Sequence, residues 1–87
     1  MQVIVYSKPS CPQCDATYRL LNREGIEFES VDLSTDAGAF EMVQSLGHLQ
    51  APVVIATIDG ETSHWAGFRP DRIKATAKQL ARELVAA

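Results

Sequence analysis

The stretch KPSCPQCDATYRLLNREG, residues 8–25, contains a loop, a helix and the signals that bound them. The β-branched and aromatic run before it, MQVIVYS (residues 1–7), predicts a buried strand. A helix is predicted from Pro12, which suits a first helical position, to Glu24, and Gly25 suits the C-terminal stop. The order is therefore strand, loop, helix.

The next segment predicts a second strand and a second helix. IEFESVDL (residues 26–33) begins with apolar residues that alternate with glutamates, which is typical of a half-exposed strand. Ser34, Thr35 and Asp36 are candidate N-caps for a helix that ends at Gly47. The first half of the chain therefore has a βαβα pattern.

The second half predicts a hairpin and a last helix. VVIATI (residues 53–58) and ETSHWA (61–66) flank Asp-Gly at 59–60, a strong two-residue hairpin turn. Pro70 and Asp71 open a helix with one apolar stripe, formed by Ile73, Ala77, Leu80 and Leu84. The order βαβαββα predicts an α/β fold: a small mixed four-stranded sheet flanked by three helices, with its first two strands parallel and its last two antiparallel.

Length and composition limit the classes of protein. The 87 residues fit a single domain, 1–87, and 46% hydrophobic with 22% charged residues is an ordinary globular composition. The net charge of −3 without a basic cluster argues against nucleic acid as a partner. The opening apolar run is too short for a signal peptide and no segment approaches a membrane span of ~20 residues, so we expect a cytoplasmic protein. We also expect a monomer.

The two cysteines, Cys11 and Cys14, have the spacing of a redox dithiol. Cys11 falls just before the helix and Cys14 in its first turn, so their Cα atoms should lie roughly 5–6 Å apart, within disulfide range. The helix N-terminus favours a thiolate, and we expect the pKa of the Cys11 thiol to lie below that of an ordinary cysteine. Lys8 would favour this thiolate and Asp15 would disfavour it. Cys11 is thus the predicted nucleophile, and Cys14 the resolving thiol.

Other uses of the cysteine pair remain open at this point. In a reducing cytosol a close pair is more often catalytic or metal-binding than a structural bond. A zinc site would need four ligands, and only His48 and His64 could join the cysteines, without the usual spacing. An iron–sulfur cluster shared between two chains is a further alternative. We expect both histidines to lie on the surface and assign neither a role.

Three motifs resemble those of the glutaredoxin-like proteins of the thioredoxin fold, most closely the NrdH-redoxins. They are VIVYSKPSCPQC (3–14), APVV (51–54) and HWAGFRPDRI (64–73), in the family's order. The resemblance implies that Cys11 and Cys14 form the active dithiol, supported by Lys8, Pro12 and Gln13. It also implies that Pro52 is a cis-proline, whose neighbours Ala51 and Val53 would offer backbone groups to an extended partner segment.

The WAGFRP segment (residues 65–70) bears on whether glutathione can supply the electrons. Typical glutathione-using glutaredoxins have a Gly-Gly pair followed by acidic residues here, whereas this chain has the cationic Arg69, so we expect poor glutathione binding. The partner-contacting residues implied are Trp65, Ala66, Gly67, Phe68, Arg69 and Pro70, although simple packing is the alternative for Trp65 and solvation the alternative for Arg69. Two residues depart from the usual NrdH pattern, which has a bulky apolar residue at the position of Pro12 and a serine at the position of Ala66.

The resemblance as a whole implies a protein-disulfide reductase. It would donate electrons to the large subunit of class Ib ribonucleotide reductase and be re-reduced by thioredoxin reductase, with NADPH as the source and no bound cofactor beyond the redox-active disulfide. The alternatives are a glutathione-dependent glutaredoxin and an iron–sulfur cluster-binding redoxin.

Overall fold

The helices and strands follow the predicted order βαβαββα. The structure, a computed structural model, describes residues 1–86, with side chains for residues 1–83. The elements are β1 (Gln2–Ser7), α1 (Pro12–Arg23), β2 (Glu29–Asp32), α2 (Ala37–Ser45), β3 (Val53–Ile58), β4 (Glu61–Ala66) and α3 (Pro70–Ala86). Within residues 1–86, each helix is too short or too polar to cross a lipid bilayer.

The four strands form one mixed sheet in the order β2-β1-β3-β4. β1 and β2 are parallel, while β3 is antiparallel to both β1 and β4. The β3–β4 turn has positive φ at both central residues, 53° at Asp59 and 79° at Gly60. This is the backbone of the type I′ turn that Asp-Gly favours, so the predicted hairpin is confirmed.

The helices cover both faces of this sheet, as predicted. Successive side chains of a strand point to opposite faces, and Val5 therefore joins a core cluster with Leu21 of α1 and Ile73 of α3, whereas Tyr6 packs with Val43 of α2. The predicted stripe of α3 is confirmed at Ile73, Ala77 and Leu80. Its fourth member, Leu84, lies outside the residues whose side chains are described.

The second strand is shorter than the sequence predicts. The prediction of a strand over residues 26–33 is wrong at its start, because β2 begins only at Glu29. Gly25 has a φ of +71°, and the N–H groups of Gly25 and Ile26 donate to carbonyls of the last turn of α1. This is a Schellman cap, and Ile26 is 4% exposed in the core beside α1. Its alternation with Glu27 therefore reflects the cap and the core rather than a strand.

Candidate active site

The two cysteines lie at the start of α1 and are disulfide-bonded. Cys11 is the N-cap residue and Pro12 the first helical residue, as predicted. The Cα atoms of Cys11 and Cys14 are 5.2 Å apart, within the expected range. Cys11 is 7% exposed and Cys14 only 1% exposed, so the first sulfur is the more accessible of the two.

The helix N-terminus directs a hydrogen-bond donor at Cys11. The backbone N–H of Cys14 donates to Cys11 Sγ over 3.1 Å. N-terminal N–H groups of a helix lack intrahelical acceptors and carry partial positive charge. The same donor would stabilise a negative charge on Cys11 Sγ in the reduced protein, which is what a nucleophilic thiolate needs.

The loop before β3 faces this sulfur. The Ala51–Pro52 peptide bond is cis, as the resemblance implied, and the Ala51 carbonyl oxygen lies 3.9 Å from Cys11 Sγ. The Pro52 carbonyl accepts a 2.8 Å hydrogen bond from the N–H of Gly67, and Val53 is paired between β1 and β4. The Pro52 carbonyl is thus used within the protein, Val53 is paired in the sheet, and Ala51 is the half-buried residue beside the dithiol. Which of these backbone groups a partner would use stays a prediction.

The segment after β4 closes the other side of the site. Gln13 Oε1 accepts a 2.9 Å hydrogen bond from the backbone N–H of Phe68. Gly67 has a φ of +82°, and a Cβ there would lie 3.1 Å from both Gln13 Oε1 and Gln50 Nε2. The start of α1, the cis-proline loop and the segment after β4 therefore meet at Gly67. Gln50 could not be singled out from the sequence, because Gly67, which it contacts, is distant along the chain.

Of the residues expected to contact partners, Trp65 takes another position. It is 4% exposed and belongs to the core cluster beneath α1 and α3, with the Arg72 guanidinium carbon 5.2 Å from the ring centroid. The packing alternative is the one observed, because Trp65 points to the face of the sheet that these two helices cover. Phe68, Arg69 and Pro70 are exposed.

The charge of Arg69 is compensated. Its guanidinium donates two hydrogen bonds to the Asp71 carboxylate, of 3.0 and 2.8 Å. These hydrogen bonds lower the pKa of Asp71 and raise that of Arg69. Arg69 is therefore not an isolated positive charge in this segment, because its guanidinium and the Asp71 carboxylate form a pair.

Lys8 lies at the edge of a neighbouring groove. This groove has a volume of about 320 Å³ and is lined by Lys8, Ala51 and apolar residues that include Phe40 and Leu49. Ala51 therefore belongs both to the lining of this groove and to the surroundings of Cys11 Sγ. The proposed effect of Lys8 on the thiolate stays a prediction.

The histidines form a pair of their own. His48 Nε2 lies 2.7 Å from His64 Nδ1, and the rings are edge-on. His64 is exposed, as predicted, and His48 half-buried. Among the described residues, no group of three or more His, Cys, Asp or Glu side chains is arranged to hold a metal ion.

Comparisons with known proteins place this arrangement in a family. Residues 3–62 match the glutaredoxin family model. The chain is 40% identical over 73 residues to the glutaredoxin-like protein NrdH of Escherichia coli K12, covering 84% of this chain and 85% of that protein.

Solved structures agree with the sequence comparison. The NrdH-redoxin of Escherichia coli, described as having a thioredoxin-like activity profile, is 37% identical with a TM-score of 0.78, covering 86% of this chain and 93% of that one. A glutaredoxin from Archaeoglobus fulgidus is 29% identical with a TM-score of 0.71, covering 85% and 83%. The thioredoxin-like fold and the bonded Cys-x-x-Cys pair define a thiol–disulfide oxidoreductase. Within that class, the chain belongs to the glutaredoxin family and is a glutaredoxin-like protein of the NrdH type.

Proposed function

We propose that this protein is a dithiol electron donor for class Ib ribonucleotide reductase and is re-reduced by thioredoxin reductase with electrons from NADPH. Its similarity to the NrdH proteins supports this partner assignment. The observation that carries the chemistry is the asymmetry of the dithiol, in which Cys11 is the helix N-cap and the more accessible sulfur, while Cys14 is buried. We further propose that residues 1–87 act as one domain, as a cytoplasmic monomer without a bound cofactor.

The proposed reaction is two successive thiol–disulfide exchanges. The Cys11 thiolate attacks one sulfur of the partner's disulfide, so that a mixed disulfide forms and the displaced partner sulfur leaves as a thiolate that takes a proton. The Cys14 thiolate then attacks Cys11 Sγ, breaks the mixed disulfide and releases the second partner sulfur. The protein ends with the Cys11–Cys14 disulfide, and two electrons have passed to the partner. Thioredoxin reductase would return two electrons from NADPH.

Partner recognition is proposed to involve both sides of Cys11. The Ala51 backbone on one side would pair with an extended partner segment in the manner of an added strand. Phe68 and its exposed neighbours on the other side would contact the partner's side chains, and Lys8 would lie beside the attacking sulfur. These positions leave the Cys11 sulfur between two recognition surfaces.

The electron source is tested by NADPH oxidation with a protein disulfide as substrate. Two reductants are compared: thioredoxin reductase alone, and glutathione with glutathione reductase. We expect turnover with thioredoxin reductase only. Turnover with glutathione only would overturn the proposed electron source and make the protein a functional glutaredoxin.

The roles of the cysteines and the partner are tested together by trapping. A Cys14→Ser variant retains the nucleophile but lacks the resolving thiol, so it should accumulate a mixed disulfide with the large subunit of ribonucleotide reductase. Mass spectrometry of the non-reduced complex would identify the bonded cysteines. The matched Cys11→Ser variant should form no such complex; a complex formed through Cys14 would reverse the assigned roles.

The Arg69–Asp71 pair offers a sharper test of why glutathione should bind poorly. In glutathione-using relatives, acidic residues in this segment receive the amino group of the tripeptide, whereas here the Asp71 carboxylate is already bound to Arg69. Arg69→Ala should free that carboxylate and raise glutathione-dependent turnover. The double variant Arg69→Ala/Asp71→Asn should return it to the wild-type level. Equal rates in all three proteins would show that this pair does not limit glutathione use.

A further inference from the structure

Gln13 connects the dithiol to a segment that is distant in the sequence. It lies between the two cysteines, and its side chain is exposed. Its Oε1 atom accepts the Phe68 N–H over 2.9 Å, across a separation of 55 residues. Phe68 is 36% exposed and immediately follows Gly67, whose N–H is bound by the cis-proline loop. The contact therefore fixes the position of an exposed aromatic residue relative to Cys11.

The helix does not depend on this side chain. The backbone carbonyl of Gln13 accepts a 2.8 Å hydrogen bond from Thr17 Oγ1, and the N-terminus of α1 is capped by Cys11 Sγ. Glutamine, methionine and glutamate also have similar helix propensities. A change at the end of the Gln13 side chain should therefore leave α1 and the cysteine geometry in place. What it removes is the acceptor for Phe68 N–H.

We infer that Gln13 is a positioning residue that sets specificity for protein disulfides by holding Phe68 beside the dithiol. A protein substrate covers the surface around Cys11 and meets Phe68, whereas a small aromatic disulfide needs access only to the Cys11 sulfur. Loss of the Gln13 acceptor should thus weaken the reaction with proteins more than the reaction with small disulfides. The inference rests on the disulfide-reductase part of the proposed function, and it does not depend on which protein is the physiological partner.

The test compares two substrates in single-turnover reactions of the fully reduced protein. Insulin serves as the protein disulfide and 4,4′-dithiodipyridine, which is uncharged at neutral pH, as the small one. Each is in excess, and the readout is the ratio of the two second-order rate constants. Gln13→Met should lower the insulin-to-small-disulfide ratio about two- to twelvefold, the range that corresponds to one hydrogen bond. Gln13→Glu retains an acceptor oxygen and should restore the ratio, since its added charge near Cys11 acts on both reactions.

A structural measurement accompanies the kinetics. Amide hydrogen exchange at Phe68 should accelerate in Gln13→Met and stay close to wild type in Gln13→Glu, while circular dichroism checks that both variants are folded. An unchanged ratio in a folded Gln13→Met variant, or an equal fall in both variants, would overturn the inference. Because the assay contains neither thioredoxin reductase nor ribonucleotide reductase, failure here leaves the partner assignment intact, and failure of that assignment leaves this ratio unchanged.

Discussion

Substituting Gly67 by alanine should separate the stability of the fold from the reactivity of the site. Gly67 has a φ of +82°, and Gly25, at the end of α1, has a φ of +71°. An L-residue in this left-handed region costs roughly 1–2 kcal/mol, so each Gly→Ala variant should lose about that much stability. For a domain of this size, each kcal/mol corresponds to a fall in Tm of about 4–8 °C.

The surroundings of the two glycines differ. A Cβ at Gly25 would meet nothing within 4 Å, whereas one at Gly67 would lie 3.1 Å from both Gln13 Oε1 and Gln50 Nε2. These are the ends of exposed, flexible side chains, so they can move away at little cost in stability. However, a shift of the Gln13 oxygen by a few tenths of an ångström lengthens and weakens its hydrogen bond with the Phe68 N–H. Gly67→Ala should therefore match Gly25→Ala in Tm but show slower reduction of a protein disulfide.

The assay combines thermal unfolding with single-turnover insulin reduction for the two variants and the wild type. Gly25→Ala is the matched control because it introduces the same residue at a similar φ without a contact. We expect Gly67→Ala to reduce insulin more slowly than Gly25→Ala, by at most the roughly two- to twelvefold that loss of a whole hydrogen bond would cause. Equal insulin rates in the two variants would refute the argument that Gly67 is needed to leave room for the Gln13 contact.

Three further predictions concern the core, the pH dependence of stability and the nucleophile. Ile73→Ala should lower the free energy of unfolding by about 2–5 kcal/mol, because Ile73 is 0% exposed. Leu49 is 89% exposed, so Leu49→Ala should change that free energy by less than about 0.5 kcal/mol. Urea titration measures both values, and similar values would contradict the argument from burial. Burial raises the pKa of Tyr6, so above a pH of about 10 the folded state retains a proton that the unfolded state loses. Stability should therefore fall as the pH rises from about 10 toward the raised pKa of Tyr6. Tyr6→Phe should flatten this decline, and an unchanged pH profile in that variant would count against it. In a Cys14→Ser variant, the rate of Cys11 alkylation should reach half its maximum at a lower pH than for an ordinary cysteine. The reason is the backbone N–H of residue 14 at the start of α1, whose nitrogen lies 3.1 Å from Cys11 Sγ. A half-maximum at the pH of an ordinary cysteine would reject the explanation that this N–H stabilises the thiolate.

The features that the sequence predicted well depend on residues close together in the chain. The hairpin turn at 59–60 needs two consecutive residues that tolerate positive φ. The geometry of Cys11 and Cys14 follows from their three-residue separation at a helix start. The cis bond at Pro52 was different, since it came from the resemblance of three separated motifs rather than from a local pattern.

The features that the sequence missed depend on competition between local and distant contacts. Ile26 suits a strand by its residue type, but the Schellman cap and the core beside α1 take it first. Trp65 lies next to exposed residues, and only the pairing of β4 with β3 shows which face of the sheet it joins. By contrast, the ion pair of Arg69 with Asp71 spans two positions, and a charge count that included Asp71 would have found it.

Three segments that are distant in the sequence meet at Gly67: the start of α1, the cis-proline loop and the segment after β4. The cis-proline loop binds Gly67 through the Pro52 carbonyl, and the dithiol helix binds the next residue, Phe68, through the Gln13 side chain. Two hydrogen bonds, one from the cis-proline loop and one from α1, therefore hold the segment after β4. The carboxylate of Asp71 in this segment is bound to Arg69, so it is not free to accept the amino group of glutathione. A segment that is already held in place beside Cys11 favours partners with a complementary surface, because fewer side chains and loops must be ordered on binding. Preference for protein disulfides over a small tripeptide would thus arise from the hydrogen bonds that hold this segment, and not from the charge of Arg69 alone.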